Sequence, residues 1–228
     1  TLVFQHTKEE SPGTLELWFR KRDFSFHVHH WHESRQPPQE SHFDWLIILG
    51  GPMNVNQESQ FPWLSLEKKF LRSWLESKKP VLGICLGSQM LSQALGGEVT
   101  KNSQREIGFH KILLTENSHP AFCRWPAEFT VYQYHEDTFS IPPGCDTLAT
   151  STACSRQAFS KGNNLLGMQF HPESTEEWIR GNNPSILKKA GELYVQSPEE
   201  IEKKIKEQLP LLTEHFFNLL DDFVRSWK

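Results

Sequence analysis

Short apolar runs alternate with amphipathic stretches over the first half of the chain. Leu2-Val3-Phe4 reads as a buried strand, and Leu15 to Arg22, entered through Ser11-Pro12-Gly13-Thr14, carries the three- and four-residue spacing of a helix. Phe24 to Trp31 reads as a second strand. Trp45-Leu46-Ile47-Ile48-Leu49 has no polar position, as a strand covered on both faces requires. Trp63 to Lys78 puts Leu66, Phe70, Leu71, Trp74 and Leu75 on one helical face. Val81-Leu82-Gly83-Ile84 is a further apolar run, followed by a helical pattern from Leu86 to about Leu95 that Gly96-Gly97 stops. This alternation predicts an α/β fold with a doubly wound, mostly parallel central sheet flanked by helices.

From Glu98 the pattern changes to short strands divided by turns: Gly108 to Leu114, Phe129 to Tyr134, Thr147 to Ala149, Gln157 to Phe159 and Leu165 to Phe170. They predict a small mixed or antiparallel extension of the sheet, with Tyr134-His135-Glu136-Asp137 falling between two strands. No linker-like stretch intervenes, so residues 1–228 are expected to form one domain: a catalytic α/β core over 1–184 and a C-terminal helical extension over 185–228. In that extension Ile201, Ile205, Leu209, Leu212, Phe216, Leu220, Phe223 and Trp227 form an apolar stripe, and Pro210 is expected to open a second helix. The stripe must be covered, either by the domain's own sheet or by another subunit.

One corner of this pattern carries chemistry. Gly83-Ile84-Cys85-Leu86-Gly87 places a cysteine between a strand and a helix, with glycines two positions away on each side where a tight turn leaves no room for side chains. Unpaired amides at the helix start face the sulfur and favour thiolate over thiol. Downstream, the run Leu165 to Phe170 ends in His171-Pro172-Glu173. If it lies beside the cysteine strand, His171 emerges at the same sheet edge and Glu173 orients it, the nucleophile, base and orienter of a triad. Gly50-Gly51-Pro52 follows a strand whose carboxyl end is a ligand-binding edge. Beside the elbow, the amides of Gly51 and Leu86 become the candidates for an oxyanion hole. Gln89, four residues beyond Cys85, faces the same pocket one helical turn away.

Gly-Ile-Cys-Leu-Gly-Ser-Gln at 83–89 together with Gln-Phe-His-Pro-Glu at 169–173 resembles the class I (triad-type) glutamine amidotransferase family. Leu49-Gly50-Gly51-Pro52 is similar to its oxyanion loop, and Tyr132-Gln133-Tyr134-His135-Glu136-Asp137 to the substrate-side segment of its GMP-synthase-like branch. The resemblance runs in register over about residues 1 to 180 and implies a flavodoxin-like sheet. It implies that the γ-glutamyl amide of glutamine is cleaved through a Cys85 thioester, and that Gly50, Gln89, Tyr134, His135 and Glu136 contact substrate. For His135 a structural hydrogen-bonding role stays open. Glutamate and ammonia would be released, the ammonia for a separate acceptor synthase. The same family includes stand-alone γ-glutamyl peptidases acting on glutathione-like amides, and a catalytically silent binding protein of the same fold is the further alternative.

Composition narrows the field. The 228 residues leave no room for a second, acceptor-processing domain beside the α/β core, and no Gly-x-x-x-x-Gly-Lys-Ser/Thr loop offers a nucleotide site. With 24 basic against 28 acidic residues and no basic cluster along one face, nucleic acid is not an expected partner; a small-molecule substrate is, and a homo-oligomer is left open. The four cysteines lack paired spacing, and Cys123, Cys145 and Cys154 lack the glycine-flanked turn of Cys85, so they are expected to be inert. No membrane span or signal core is evident and a cytoplasmic location is expected. His27, His29, His30 and His32 have no carboxylate or cysteine at ligand-like spacing, so exposed strand-end positions are expected, and no metal or other cofactor is called for.

Overall fold

The computed structural model describes residues 1–34, 36–117, 119–187 and 191–227. Five strands run parallel: β1 (Leu2–Gln5), β2 (His27–His30), β3 (Leu46–Ile48), β4 (Val81–Ile84) and, reached only late in the chain, β9 (Leu165–Met168). Between β4 and β9 in sequence lie β5 (Val99–Leu114), β6 (Glu128–Phe139), β7 (Asp146–Thr150) and β8 (Ala158–Lys161), which pair antiparallel. All nine form one sheet in the order β2-β1-β3-β4-β9-β8-β7-β5-β6. The doubly wound parallel half is as the pattern predicts; the antiparallel part is larger than expected, with β5 and β6 forming a long ribbon.

Period-2 alternation assigns the strand residues to two cores. Leu2, Phe4, Leu46, Ile48 and Val81 face one side, where α2 (Trp63–Glu76) and α3 (Leu86–Ala94) bring Phe70, Leu71, Trp74, Met90 and Leu91. Val3, Ile47, Leu82, Ile84 and Leu166 face the other, beneath α1 (Thr14–Lys21) with Trp18 and Phe19. Two short helices follow β9, α4 (Glu176–Gly181) and α5 (Asn183–Leu187), then α6 (Pro198–Trp227).

Four expectations are corrected. Tyr134, His135, Glu136 and Asp137 do not lie between strands but inside β6, because Ile107 pairs with Tyr134, Glu106 with His135 and Lys101 with Asp137 across the ribbon, which shifts register between Lys101 and Glu106. Pro210 does not open a helix; α6 runs unbroken through it for 30 residues. The proline is exposed, and buried Ile205, Leu212, Phe216, Leu220 and Phe223 on either side anchor both halves of the helix to the same core. That packing also settles the apolar stripe, which is covered by this chain's own α1 and sheet. The expected helix from Ser185 begins with α5 but stops, and Val195 instead bridges Ile107; positions 188–190 and 228 lie outside the described residues. In β2, His27 is exposed as expected whereas His29 is buried edge-on against Trp31, with ring centroids 4.5 Å apart. Among the described residues no helix is long and apolar enough to cross a membrane.

Candidate active site

The carboxyl ends of β1, β3, β4 and β9 meet at one edge, where the strand order reverses, β2 lying on one side of β1 and β3 on the other. Cys85 follows β4 with φ 50° and ψ −107°, a backbone conformation that L-residues adopt only when surroundings enforce it. The glycines on either side explain how the elbow closes. A Cβ on Gly83 would stand 2.6 Å from the Gly87 carbonyl, and a Cβ on Gly87 would stand 2.1 Å from the Ile48 carbonyl oxygen. Strand β4 therefore touches the backbone of α3 directly, and α3 rests on β3.

Ile84 pairs with Met168 across β4 and β9, so the chain leaves both strands at the same level. The Cys85 amide donates to Met168 O at 2.8 Å, and the His171 amide donates to Tyr132 O at 2.9 Å, tying the end of β9 to the middle of β6. His171 Nδ1 lies 2.8 Å from Glu173 Oε1, with both side chains buried. With Nδ1 taken by Glu173, the side of the ring that carries Nε2 is left to Cys85. Burial works against a charged imidazole here, but the Glu173 carboxylate and then Cys85 outweigh it, and the ring holds its proton well above the usual histidine range. Trp178 covers the ring at a centroid distance of 4.8 Å.

The other sequence-predicted residues converge on the same cleft, a cavity of about 250 Å³ that Gly51, Cys85, Gln89, Tyr134, His135, Glu136 and His171 help to line. Gly50 adjoins it: a Cβ there would come within 2.8 Å of His171 Cε1 and 3.5 Å of Cys85 Cβ. The amides of Gly51 and Leu86 donate to no protein acceptor among the described residues. Gln89 is buried and donates to Asp137 O at 3.3 Å and Gln169 Oε1 at 3.2 Å. Tyr134 hydroxyl bonds Ser185. His135 is held between Asp137 O at Nδ1 (2.9 Å) and Glu106 Oε2 at Nε2 (3.0 Å). Glu136 pairs with Arg105 and Lys101, which pull its carboxyl down to about 2, the Arg105 hydrogen bond foremost.

Several participants escaped the sequence reading. Gln169 points Nε2 at Cys85 Sγ, 3.5 Å away, although it stands inside the motif that carries His171. Glu10, from the loop after β1, and Arg105, from β5, also line the cavity. Burial pushes the Glu10 carboxyl up, His171 draws it down and Glu173 raises it again. No local spacing announces Glu10 or Arg105: the first comes from a loop and the second from the register shift of β5 between Lys101 and Glu106. Cys123 is exposed, Cys145 half-buried and Cys154 buried, and burial raises all three thiols.

Residues 15–188 match the family model described as glutamine amidotransferase class-I. The chain is 29% identical over 206 residues to the glutamine amidotransferase-like protein YfeJ of Salmonella typhimurium, covering 86% of each. It is 32% identical over 172 residues to the glutamine-hydrolyzing GMP synthase of Macrococcus caseolyticus, an alignment that takes in 72% of this chain but 32% of the synthase. Among solved structures, a glutamine amidotransferase from Thermotoga maritima superposes with a TM-score of 0.89 at 28% identity, covering 99% of this chain and 97% of that one. One from Methylobacillus flagellatus gives 0.91 at 25%, covering 99% and 94%.

Proposed function

The chain belongs to the glutamine amidotransferase class-I family, and from that premise we propose that it hydrolyses the side-chain amide of glutamine at Cys85. The thiolate attacks the γ-carbonyl carbon, forming a C–S bond and an oxyanion that accepts hydrogen bonds from the amides of Gly51 and Leu86. His171 Nε2 delivers its proton to the amide nitrogen, the C–N bond breaks, and ammonia leaves. His171, now neutral, takes a proton from water as it attacks the thioester carbonyl; the C–S bond breaks and glutamate departs. Glu173 holds the imidazole by Nδ1 throughout. Gln89, Tyr134, His135 and Glu136 shape the substrate side of the cleft.

The observation that carries this reading is the placement of His171: Nδ1 is engaged by Glu173, the ring's other side is turned to Cys85, and the imidazole keeps its proton there. An acid that must protonate a departing nitrogen requires that arrangement. The GMP synthases to which the chain is similar are named for glutamine hydrolysis. By that analogy a synthase that consumes ammonia is the proposed partner.

The test is steady-state glutamate release from glutamine and, in parallel, from γ-glutamyl dipeptides, with Cys85→Ala as control. Turnover of glutamine that Cys85→Ala abolishes is the expected result. Preference for γ-glutamyl dipeptides would reassign the leaving group to an amine. Absence of turnover together with no labelling of Cys85 by a glutamine-analogue electrophile would overturn the catalytic reading.

A further inference from the structure

Gly50 and Gly51 face conflicting demands. Neither position has room for a Cβ: at Gly50 it would meet Glu10 at 2.6 Å and His171 at 2.8 Å, and at Gly51 it would meet Leu86 and Met53 at 2.8 Å. Yet a peptide flanked by two glycines rotates more readily than any other, since no side chain restricts φ or ψ on either side. An oxyanion donor is useful only if its N–H is already aimed before charge develops. The loop therefore needs an orienting contact that does not come from its own side chains.

Such a contact exists just beyond β1. His6 is fully buried, and its Nδ1 lies 2.7 Å from the Gly50 carbonyl oxygen. Its Nε2 lies 3.0 and 3.2 Å from the two carboxylate oxygens of Glu67 on α2, also fully buried. Trp63 stacks on the imidazole at 5.6 Å. A carbonyl only accepts, so Nδ1 donates to Gly50; Nε2 faces a carboxylate and donates there. Burial disfavours a charged ring, but Glu67's charge and hydrogen bonds outweigh it and raise the His6 pKa.

The Gly50–Gly51 peptide is trans, so its C=O and N–H point in opposite directions. We propose that the buried His6 and Glu67 pair is a positioning device that grips the Gly50 carbonyl and thereby keeps the Gly51 N–H turned toward Cys85 as a ready oxyanion donor. The inference rests on the catalytic reading of Cys85 given above and adds a role for residues that touch no substrate. Glu67 accepts the Nε2 proton and holds the ring in place, and His6 transmits that restraint to the loop.

Two variants separate positioning from mere support. Replacing the pair by apolar groups, His6→Phe with Glu67→Leu, removes the donor while leaving no buried charge unpaired, so the chain is expected to fold. Glu67→Gln removes the charge but lets a neutral His6 keep its Nδ1 proton on Gly50 while Nε2 accepts from the new amide. The expected result is a kcat for glutamate release about 100-fold below the parent in the double variant, at unchanged KM. The rate of Cys85 alkylation by iodoacetamide, which needs no oxyanion hole, stays unchanged. Glu67→Gln recovers kcat to within about tenfold of the parent, as expected where one hydrogen bond is kept. A crystal structure of the double variant is expected to show the Gly50 carbonyl turned away from position 6. Equal losses in both variants, a double variant at parental kcat, or an unmoved Gly50 peptide would each overturn the proposal. An unreactive Cys85 in the parent chain would instead defeat the catalytic reading, and the crystal structure would still decide whether the pair grips the loop.

Discussion

Gly87 sits on Ile48 with no space between them: a Cβ at 87 would lie 2.1 Å from the Ile48 carbonyl oxygen and 2.8 Å from its Cβ. The first turn of α3 is thereby pressed onto β3, which lifts Cys85 to the rim and holds it at φ 50°. Both atoms in conflict belong to rigid backbone or a branched side chain, so neither can yield without moving an element. Gly87→Ala is therefore expected to lower the unfolding free energy by about 2–3 kcal/mol. Gly181→Ala, at a helical position with nothing within 4 Å, is expected to be neutral or to stabilise by about 0.5 kcal/mol. Urea unfolding of the two variants checks the contrast.

The raised pKa of His171 carries a sign. The folded protein holds this proton more tightly than the unfolded chain, whose histidines titrate near 6.5. Its contribution to stability is then complete below that pH and is lost as pH rises through the higher folded value. Histidines whose pKa burial lowers, His110 and His119 among them, act in the opposite sense, so the measurement must be a difference. The gap in urea midpoint between the parent chain and His171→Gln is expected to narrow as pH is raised above about 6.5. A gap that widens would assign the proton wrongly.

Glu136 holds Arg105 at the cavity wall and also pairs with Lys101. Glu136→Gln weakens both charged contacts and lets the Arg105 guanidinium swing toward Glu192, its other partner. Loss of a wall group that binds ground state and transition state alike raises KM with little change in kcat. An increase in KM of about five- to tenfold, the weight of one charge-assisted hydrogen bond, is expected in steady-state assays. A selective fall in kcat would instead place Glu136 in the chemistry.

Pro210 interrupts the hydrogen-bond ladder of α6 on its exposed side. Because flanking apolar residues are already packed, replacing it restores one donor without altering the core. Pro210→Ala is expected to raise the unfolding free energy by about 1–3 kcal/mol. A rise in urea midpoint with an unchanged slope would confirm that the native packing was retained.

Local spacing was sufficient for the elements that carry Cys85, His171 and Glu173, the proposed triad. Glycines at 83 and 87 around Cys85, and a histidine, proline and glutamate closing an apolar run, are short-range signals, because backbone conformation and strand ends are decided within a few residues. The parallel half of the sheet was legible for the same reason, each strand being a buried run bounded by turns.

Other features depended on residues far apart in sequence. Tyr134, His135, Glu136 and Asp137 look like a polar break, yet pairing with β5 keeps them in a strand and delivers them to the cleft. Pro210 looks like a helix start, but packing of residues on both sides carries α6 through it. His6 and Glu67 stand 61 positions apart, and neither lies in a recognisable pattern. The sequence alone determined the candidate residues Cys85, His171 and Glu173 and the parallel strands that present them. The tertiary structure decided which distant groups hold them in place, because a buried ion pair or a strand pairing forms only when separate segments close on one another and leave no water between.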